Sequence, residues 1–502
     1  MNISIIRYIL GYVLKIEGLL MFVPILVSLI YQEPKQASAY LAVSFTTLLI
    51  GSLMCIKKPL SSVFYLKEGC VTTSLTWILF SACGAIPLCL TGEAPFFTDA
   101  MFEMVSGFTT TGATIFSDVE ALSHATLMWR SFTHWIGGMG ILVFLLAIVP
   151  LSGGSHINLM RAESPGPSVG KLVPKLRHTA RILYLIYFGL TLIEILLLLF
   201  FKMPLFDALC TGLGTAGTGG FGILNDSIAS YSVPIQWVVT IFMILFGINF
   251  NAYYLILFGQ IKNALKMEEV RVYLGIIAVS VGIITFNILD MSQGLFDAFT
   301  KASFQVASII SSTGYATTDF NLWPQTSRTI LVILIFIGAC AGSTGGGMKV
   351  SRFVISTKNV LKEINSYIHP KSIKKIKMDD KPVEHEVVRS INVYFFTFAI
   401  LFVISFILIS LEGKDFTTNF TAVATTFNNI GPGLEMVGPT QNFGHFTKFS
   451  KWVFIFNMLA GRLELFPLLI LFHPTLWVQS VTQLKRRRVI KKRNSQKSKH
   501  LN

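Results

Sequence analysis

Charge is what this 502-residue chain has least of. Only 13% of its residues are Asp, Glu, Lys or Arg, where a soluble domain carries about a quarter. In their place 52% of residues are apolar or aromatic, and the mean hydropathy is +0.63. That balance excludes an ordinary soluble globular protein. Cysteine is also scarce. Cys55, Cys70, Cys83, Cys89, Cys210 and Cys340 lie in or beside apolar segments and show no metal-ligand spacing. They read as small buried hydrophobes in a chain that needs no disulfide framework. Catalytic patterns are missing as well. The nine histidines are scattered, with no HExxH pair and no motif for a Ser-His-Asp set, which argues against a membrane-embedded hydrolase. His134 alone lies well inside an apolar run, and a lone histidine there reads as a packing residue.

The apolar residues gather into runs of roughly 20, long enough to cross a hydrocarbon core as helices. Ten are read, at 5–31, 38–56, 71–91, 126–151, 180–202, 234–260, 272–290, 329–357 (interrupted), 391–411 and 450–475. The pattern predicts an all-α polytopic membrane protein of ten spans. The first run is too long for a cleaved signal and is read as a retained span.

The few charges are distributed unevenly. Lys57, Lys58 and Lys67 fall in one connection, and Arg161, Lys171, Lys175, Arg177 and Arg181 in the next alternate one. Lys262, Lys266 and Arg271 follow, then Lys371, Lys374, Lys375 and Lys377, then a tail reading KRRRVIKKR. With ten spans all of these share one side, which predicts that this side and both termini are cytoplasmic. The stretch 92–129 has no Lys or Arg but holds Glu93, Asp99, Glu103, Asp118 and Glu120. The net charge of +15 is therefore a topology signal. The juxtamembrane tail suits anionic lipid head groups rather than nucleic acid, since no folded reader accompanies it.

Within the apolar chain one motif recurs four times, always between two runs. It reads Thr110-Thr111-Gly112 in SGFTTTGATIF, Gly217-Thr218-Gly219 in GTAGTGGF, Ser312-Thr313-Gly314 in SIISSTGYATTD and Asn429-Ile430-Gly431 in ATTFNNIGPGLE. Before each lies a segment too short to span, opening on Thr98-Asp99-Ala100, Phe206-Asp207-Ala208, Phe296-Asp297-Ala298 or Asp415-Phe416. An Asp there accepts free helix N–H groups and suits the positive dipole end. The negative end then points into the membrane, which favours a cation. Non-helical backbone at that depth survives only where it lines a cavity, and a ring of carbonyl and hydroxyl oxygens can replace the water around a dehydrated ion. The competing reading is close helix packing through small residues, which four matched copies disfavour.

Internal repetition organises the chain. Residues 1–70 form two peripheral amino-terminal spans. The repeats, each span, re-entrant helix, turn and span, occupy 71–152, 178–262, 271–365 and 386–478, and 479–502 is a basic tail. Two features break the symmetry. The span of the third repeat dissolves into GACAGSTGGG, with Gly338, Gly342, Gly345, Gly346 and Gly347. Each glycine costs a helix about 1 kcal/mol against Ala. The segment 338–347 is therefore read as a flexible intramembrane loop beneath the four turns, rather than a GxxxG packing face. A phosphate-binding loop fails, because GSTGGGMK lacks the GK[ST] ending and no strand precedes it. The second feature is Arg462, placed near the middle of the last span, where a charge costs about 2.5–3.5 kcal/mol. It is expected to face the pathway as an electrostatic barrier. The alternative is an ion pair, for which Glu464, two residues on, is badly placed.

These residues resemble the Trk/Ktr/HKT superfamily of potassium transporters, and within it the membrane subunits of bacterial Trk systems. The resemblance spans essentially the whole chain and rests on SGFTTTGAT, WIGGMGI (135–141), RAESPGP (161–167), GACAGSTGGGMKV (338–350), NNIGPG (428–433) and GRLELF (461–466). It implies a bacterial plasma-membrane protein carrying potassium, with the carbonyls around Gly112, Gly219, Gly314 and Gly431 as filter. It further implies a gate made of 338–347 and Arg462, a homodimer with one pathway per protomer, and cytosolic nucleotide-binding regulatory subunits of the TrkA type. The connection 349–390 is too short to be a nucleotide-binding domain, so nucleotide would act only through that partner. The fourth copy departs from the pattern with Asn-Ile-Gly, and the second with Gly217 in the first position. These departures point to a filter that admits some sodium or rubidium. A proton- or sodium-coupled cotransporter is the alternative. It would need intramembrane carboxylates, and the spans offer only Glu17, Glu194 and Glu464.

Overall fold

In the computed structural model of the protein, residues 1–59, 64–140, 176–370, 375–474 and 476 are described. The RAESPGP stretch, the end of the fourth apolar run, Lys371, Lys374 and the tail 479–502 lie outside the described residues. Elsewhere every expected run is helical, and the chain is an all-α polytopic membrane protein. Six helices have the length and hydropathy of a span, and a bent pair would make a seventh. The other expected runs, of which 329–357 was read as interrupted, fall on shorter or broken helices among the described residues. The helices that close the repeats are short or interrupted, for reasons that lie in their own sequences.

The amino-terminal pair comprises Ile3–Leu20, continued by Phe22–Ile30, and Pro34–Cys55. Gly11 and Gly51 let its two helices touch, since a Cβ on Gly11 would lie 2.9 Å from the Gly51 carbonyl oxygen. The pair packs on the first repeat, where Tyr40 shares a hydrogen bond with Thr126 at 3.3 Å.

Each repeat has a leading helix, a short helix and a trailing helix. The leading helices are Leu66–Thr91, Leu176–Phe200, Glu268–Asn287 and His385–Ser410. The short helices are Phe97–Phe108, Leu205–Gly217, Leu295–Ile310 and Phe416–Asn428. Of the four aspartates expected to cap them, only Asp415 does so, accepting the Thr418 N–H at 2.8 Å. Asp99, Asp207 and Asp297 sit inside the first turn. There they bond to Lys451, Tyr231 and Lys301 respectively. Aromatic side chains wedge the short helices in place, as where Phe108 meets Phe80 at 5.2 Å and Trp129 at 6.0 Å between ring centroids.

The trailing helices depart from one another. In the first repeat His124–Gly138 is capped by Ser123. The second breaks between Val233–Phe246 and Phe250–Leu257 and bends by 91°. Gly247 and Asn249 mark the break, and the Asn249 side chain caps the new helix by accepting the Asn251 N–H. In the third, Gln325–Ile337 ends at Gly338 and helix resumes at Val350–Ile368. In the fourth, Lys448–Arg462 stops where Glu464 and Leu465 adopt left-handed angles, φ 56° and 67°. A short antiparallel hairpin pairs Lys377 with Pro382 in the connection to the fourth repeat.

Candidate ion pathway

The four turns share one backbone design. Thr110, Thr218, Ser312 and Asn429 all take left-handed angles, with φ of 57°, 54°, 61° and 55°. Thr and Ser rarely do so; Asn does so more readily. The next residue in each turn donates its N–H to a carbonyl five residues back. The pairs are Thr111 to Ser106, Gly219 to Gly214, Thr313 to Ser308 and Ile430 to Thr425, at 2.8–3.0 Å. This closure of a helix C-terminus satisfies carbonyls that the helix leaves free.

The shared geometry corrects the reading of the second copy. Thr218 holds the left-handed place and Gly220, at φ 76°, matches Gly112 at 78° and Gly314 at 89°. The equivalent triplet is Thr218-Gly219-Gly220, one residue later than the sequence pattern suggested. Two further glycines in GTGGFG made that register ambiguous in sequence. Positive φ also explains three of the four glycines; Gly431 does not need it.

The turns close on one another in cyclic order. A Cβ on Gly112 would lie 1.9 Å from the Gly219 carbonyl oxygen, and one on Gly220 would lie 2.0 Å from that of Thr313. One on Gly314 would meet Gly431 nitrogen at 3.2 Å, and one on Gly431 the Gly112 oxygen at 2.8 Å. Asn429 adds a cross-link from the fourth turn to the first, donating to the Thr111 hydroxyl at 3.0 Å. All of Thr110, Thr111, Thr218, Ser312, Thr313, Asn429 and Ile430 are buried. Among the described residues no three His, Cys, Asp or Glu side chains converge; the turns themselves carry backbone carbonyls, hydroxyls and the Asn429 amide oxygen.

The segment 338–347 lies directly against these turns. Gly346 donates to the Ser312 hydroxyl, and Gly347 to the Asn428 carbonyl at 2.9 Å. Gly338, Gly342 and Gly347 have φ of 69°, 67° and 78°, and Gly345 admits no Cβ because the Ser311 carbonyl would be 2.6 Å away. The segment was expected to be slack, but it is tied at many points. Cys340 donates to the Gly247 carbonyl and Phe250 to that of Gly342, each at 3.0 Å, so the broken second-repeat helix seats the loop. Glu269 accepts from Ala341 at 2.6 Å and Ser351 at 3.1 Å, pinning both ends. Lys349 reaches back to the Gly345 carbonyl.

Arg462 was expected near the middle of a span. It ends its helix instead, because the chain turns at Glu464 and Leu465. Half-buried there, it donates to the Thr344 carbonyl at 3.0 Å, to the Gly138 carbonyl at 2.8 Å and to that of Gly137. It thus bridges the loop of the third repeat to the trailing helix of the first. Glu464 pairs with Arg352, in keeping with its poor placement for Arg462.

Sequence reasoning missed several residues that position the turns. Arg130 and Glu103 form an ion pair at 2.8 Å with side chains 1% and 0% exposed. Glu103 also accepts from the Thr114 hydroxyl and the Ile115 N–H at 3.0 Å, in the strand of chain that leaves the first turn. His134, expected to be a packing residue, is fully buried with both ring nitrogens used. Two charges inside an otherwise apolar repeat were the available signal.

Four buried turns that close on one another, contributed by one chain of apolar helices, make this a polytopic membrane protein with a candidate site at its centre. The chain belongs to the TrkH family of cation transport proteins, whose model matches residues 37–479. It is 35% identical over 492 residues to the Trk system potassium uptake protein TrkH of Salmonella typhimurium, covering 95% of this chain and 100% of that one. Against TrkG of Escherichia coli the identity is 33% over 489 residues, with 95% and 99% covered. The crystal structure of the potassium transporter TrkH from Vibrio parahaemolyticus superposes with a TM-score of 0.85 at 31% identity, covering 95% of this chain and all of that one.

Proposed function

We propose that this protein takes up potassium across the bacterial inner membrane through a gated, channel-like pathway. Its filter is the ring formed by Thr110–Gly112, Thr218–Gly220, Ser312–Gly314 and Asn429–Gly431. The observation that carries the reading is the cyclic closure of the four turns, each glycine lying against the next turn. Oxygen rings of this kind can substitute for an ion's hydration shell. Names carried by the relatives, potassium uptake and potassium transporter, support the choice of ion.

The loop 338–347 and Arg462 form the gate. The described arrangement is a closed one, because the loop sits against the third and fourth turns and is held from four sides. Both termini are cytoplasmic, the protein is a homodimer with one pathway per protomer, and a cytosolic nucleotide-binding subunit of the TrkA type releases the loop. Because the second turn carries glycine where the first and third carry threonine, the filter passes some sodium or rubidium.

The test is cation uptake by purified protein in liposomes, with and without regulatory subunits. Potassium-selective flux that needs only an electrical or potassium gradient is expected. Flux that requires a proton gradient at fixed potassium potential would replace the channel-like reading with a cotransporter.

A further inference from the structure

The second turn lacks the side-chain brace that the other three turns have. In the first turn Thr109 and Thr111 share a hydroxyl hydrogen bond at 2.8 Å, and in the third Ser311 and Thr313 share one at 2.7 Å. The fourth is held by Asn429, which donates to Thr111 at 3.0 Å and to the Met458 carbonyl at 2.9 Å. At the equivalent places in the second turn stand Gly217 and Gly219, with no side chains to pair. The Thr218 hydroxyl folds back onto the Gly217 carbonyl at 2.6 Å.

The missing hydroxyl pair has a substitute from another repeat. A Cβ on Gly219 would lie 2.2 Å from the imidazole ring of His134, and one on Gly217 would lie 2.2 Å from the His134 carbonyl oxygen. The imidazole therefore occupies the volume that a Thr or Ser fills in the first and third turns. Its ring nitrogens bridge two repeats. Nε2 accepts the Phe221 N–H at 3.2 Å, so Nδ1 carries the proton and donates to the Gly107 carbonyl at 2.7 Å. One helical turn earlier, Arg130 makes a second rung. It pairs with Glu103, donates to the Gly222 carbonyl at 3.3 Å and stacks on Phe221 at 4.1 Å. Glu103 and Gly107 are likewise one turn apart on the first short helix, so the two rungs run in parallel.

We propose that His134 and Arg130 are positioning residues for the second turn, supplying from the first repeat the side-chain support that its glycines lack. The proposal rests on the filter reading above. A packing histidine would affect yield and stability alone; a positioning histidine sets the ratio of sodium to potassium permeability.

The experiment is the reversal potential under opposed potassium and sodium gradients, with the purified full-length chain in liposomes. For His134→Ala a rise in the sodium-to-potassium ratio of about fivefold is expected, the scale of one net hydrogen bond. Gly219→Ser in the His134→Ala background should restore most of the selectivity, because its hydroxyl enters the vacated space. The same Gly219→Ser change alone should impair selectivity, because the ring is in the way. Arg130→Lys, which keeps the charge for Glu103 but loses the fork to Gly222, should shift the ratio in the same direction. It serves as the deciding variant if His134→Ala does not fold. Wild-type ratios in the folded variants would overturn the proposal. Gly112→Ser is the control: if it shifts the ratio while these variants do not, only the positioning role falls. If none shifts it, the filter reading falls first.

Discussion

Replacing Arg462 with alanine removes a side-chain bond that ties the loop 338–347 to the fourth repeat. In the described arrangement its guanidinium donates to the Thr344 carbonyl at 3.0 Å and, on the far side, to the Gly138 carbonyl at 2.8 Å. Only the first of these holds the loop. A hydrogen bond from a charged group contributes about 1.5–3 kcal/mol, so the balance between seated and displaced loop should move about 10- to 150-fold toward displacement. The bonds from the loop to Gly247, Asn428 and Glu269 remain, which makes this a bias and not a collapse. Rubidium uptake into liposomes, without regulatory subunits, should therefore rise in Arg462→Ala, and the further stimulation by those subunits should shrink. Arg462→Lys keeps the charge and loses the fork, so it should fall between. Unchanged flux and unchanged stimulation in a folded Arg462→Ala protein would refute the gate assignment.

Other expectations follow from single contacts. Gly112→Ser would place a Cβ 1.9 Å from the Gly219 carbonyl oxygen, displacing the second turn; the reversal potential should show weaker discrimination against sodium, and wild-type selectivity would remove Gly112 from the ion's path. Glu269→Ala leaves the N–H groups of Ala341 and Ser351 without their acceptor, at about 1–3 kcal/mol for each buried group left unpaired, so basal flux should rise as in Arg462→Ala, and a tight closed state would contradict the pinning role. Burial raises the Glu412 carboxyl, but the hydroxyls of Ser450 and Thr447 and the Thr447 N–H outweigh it and hold it below the ordinary carboxylate range. Because the folded value is depressed, its stabilisation is complete above the ordinary value and lost as pH falls through the folded one. Thermal denaturation of Glu412→Gln should thus be less sensitive to acidification from about pH 6 to pH 3 than that of the wild type.

Helix and membrane class were legible because they rest on composition and run length, properties that every residue reports. The recurrence of a polar-polar-glycine turn between apolar runs marked where the four left-handed turns lie, though not the register of the second. The second turn misled by one residue because GTGGFG offers several glycines and only backbone angles distinguish them. The second and fourth trailing helices were read as continuous because apolar runs do not record where a chain bends. Yet Gly247 beside Asn249, a helix stop followed by a helix-start residue, held the signal. Glu103, Arg130 and Glu269 were out of reach for a different reason. Arg130 and Glu269 act through backbone groups tens of residues away and Glu103 through Arg130 and the turn exit, and those pairings have no signature in sequence. His134 shows the limit most clearly: its isolation in an apolar run was visible, but the space it fills is defined by side chains that another repeat lacks.

The loop and the ring are not separate parts placed near each other. Gly346 and Gly347 donate their N–H groups to Ser312 and Asn428, one in the third turn and the other immediately before the fourth. Any outward movement of the loop must therefore break bonds to the turns proposed as the filter. Coupling between two events is reciprocal in free energy. On the proposed filter reading, an ion that settles the third and fourth turns in their described form also holds the loop seated, and one that fits them badly loosens it. The passing cation then becomes an effector of its own passage, and the dwell time of the open state should differ between potassium, rubidium and sodium.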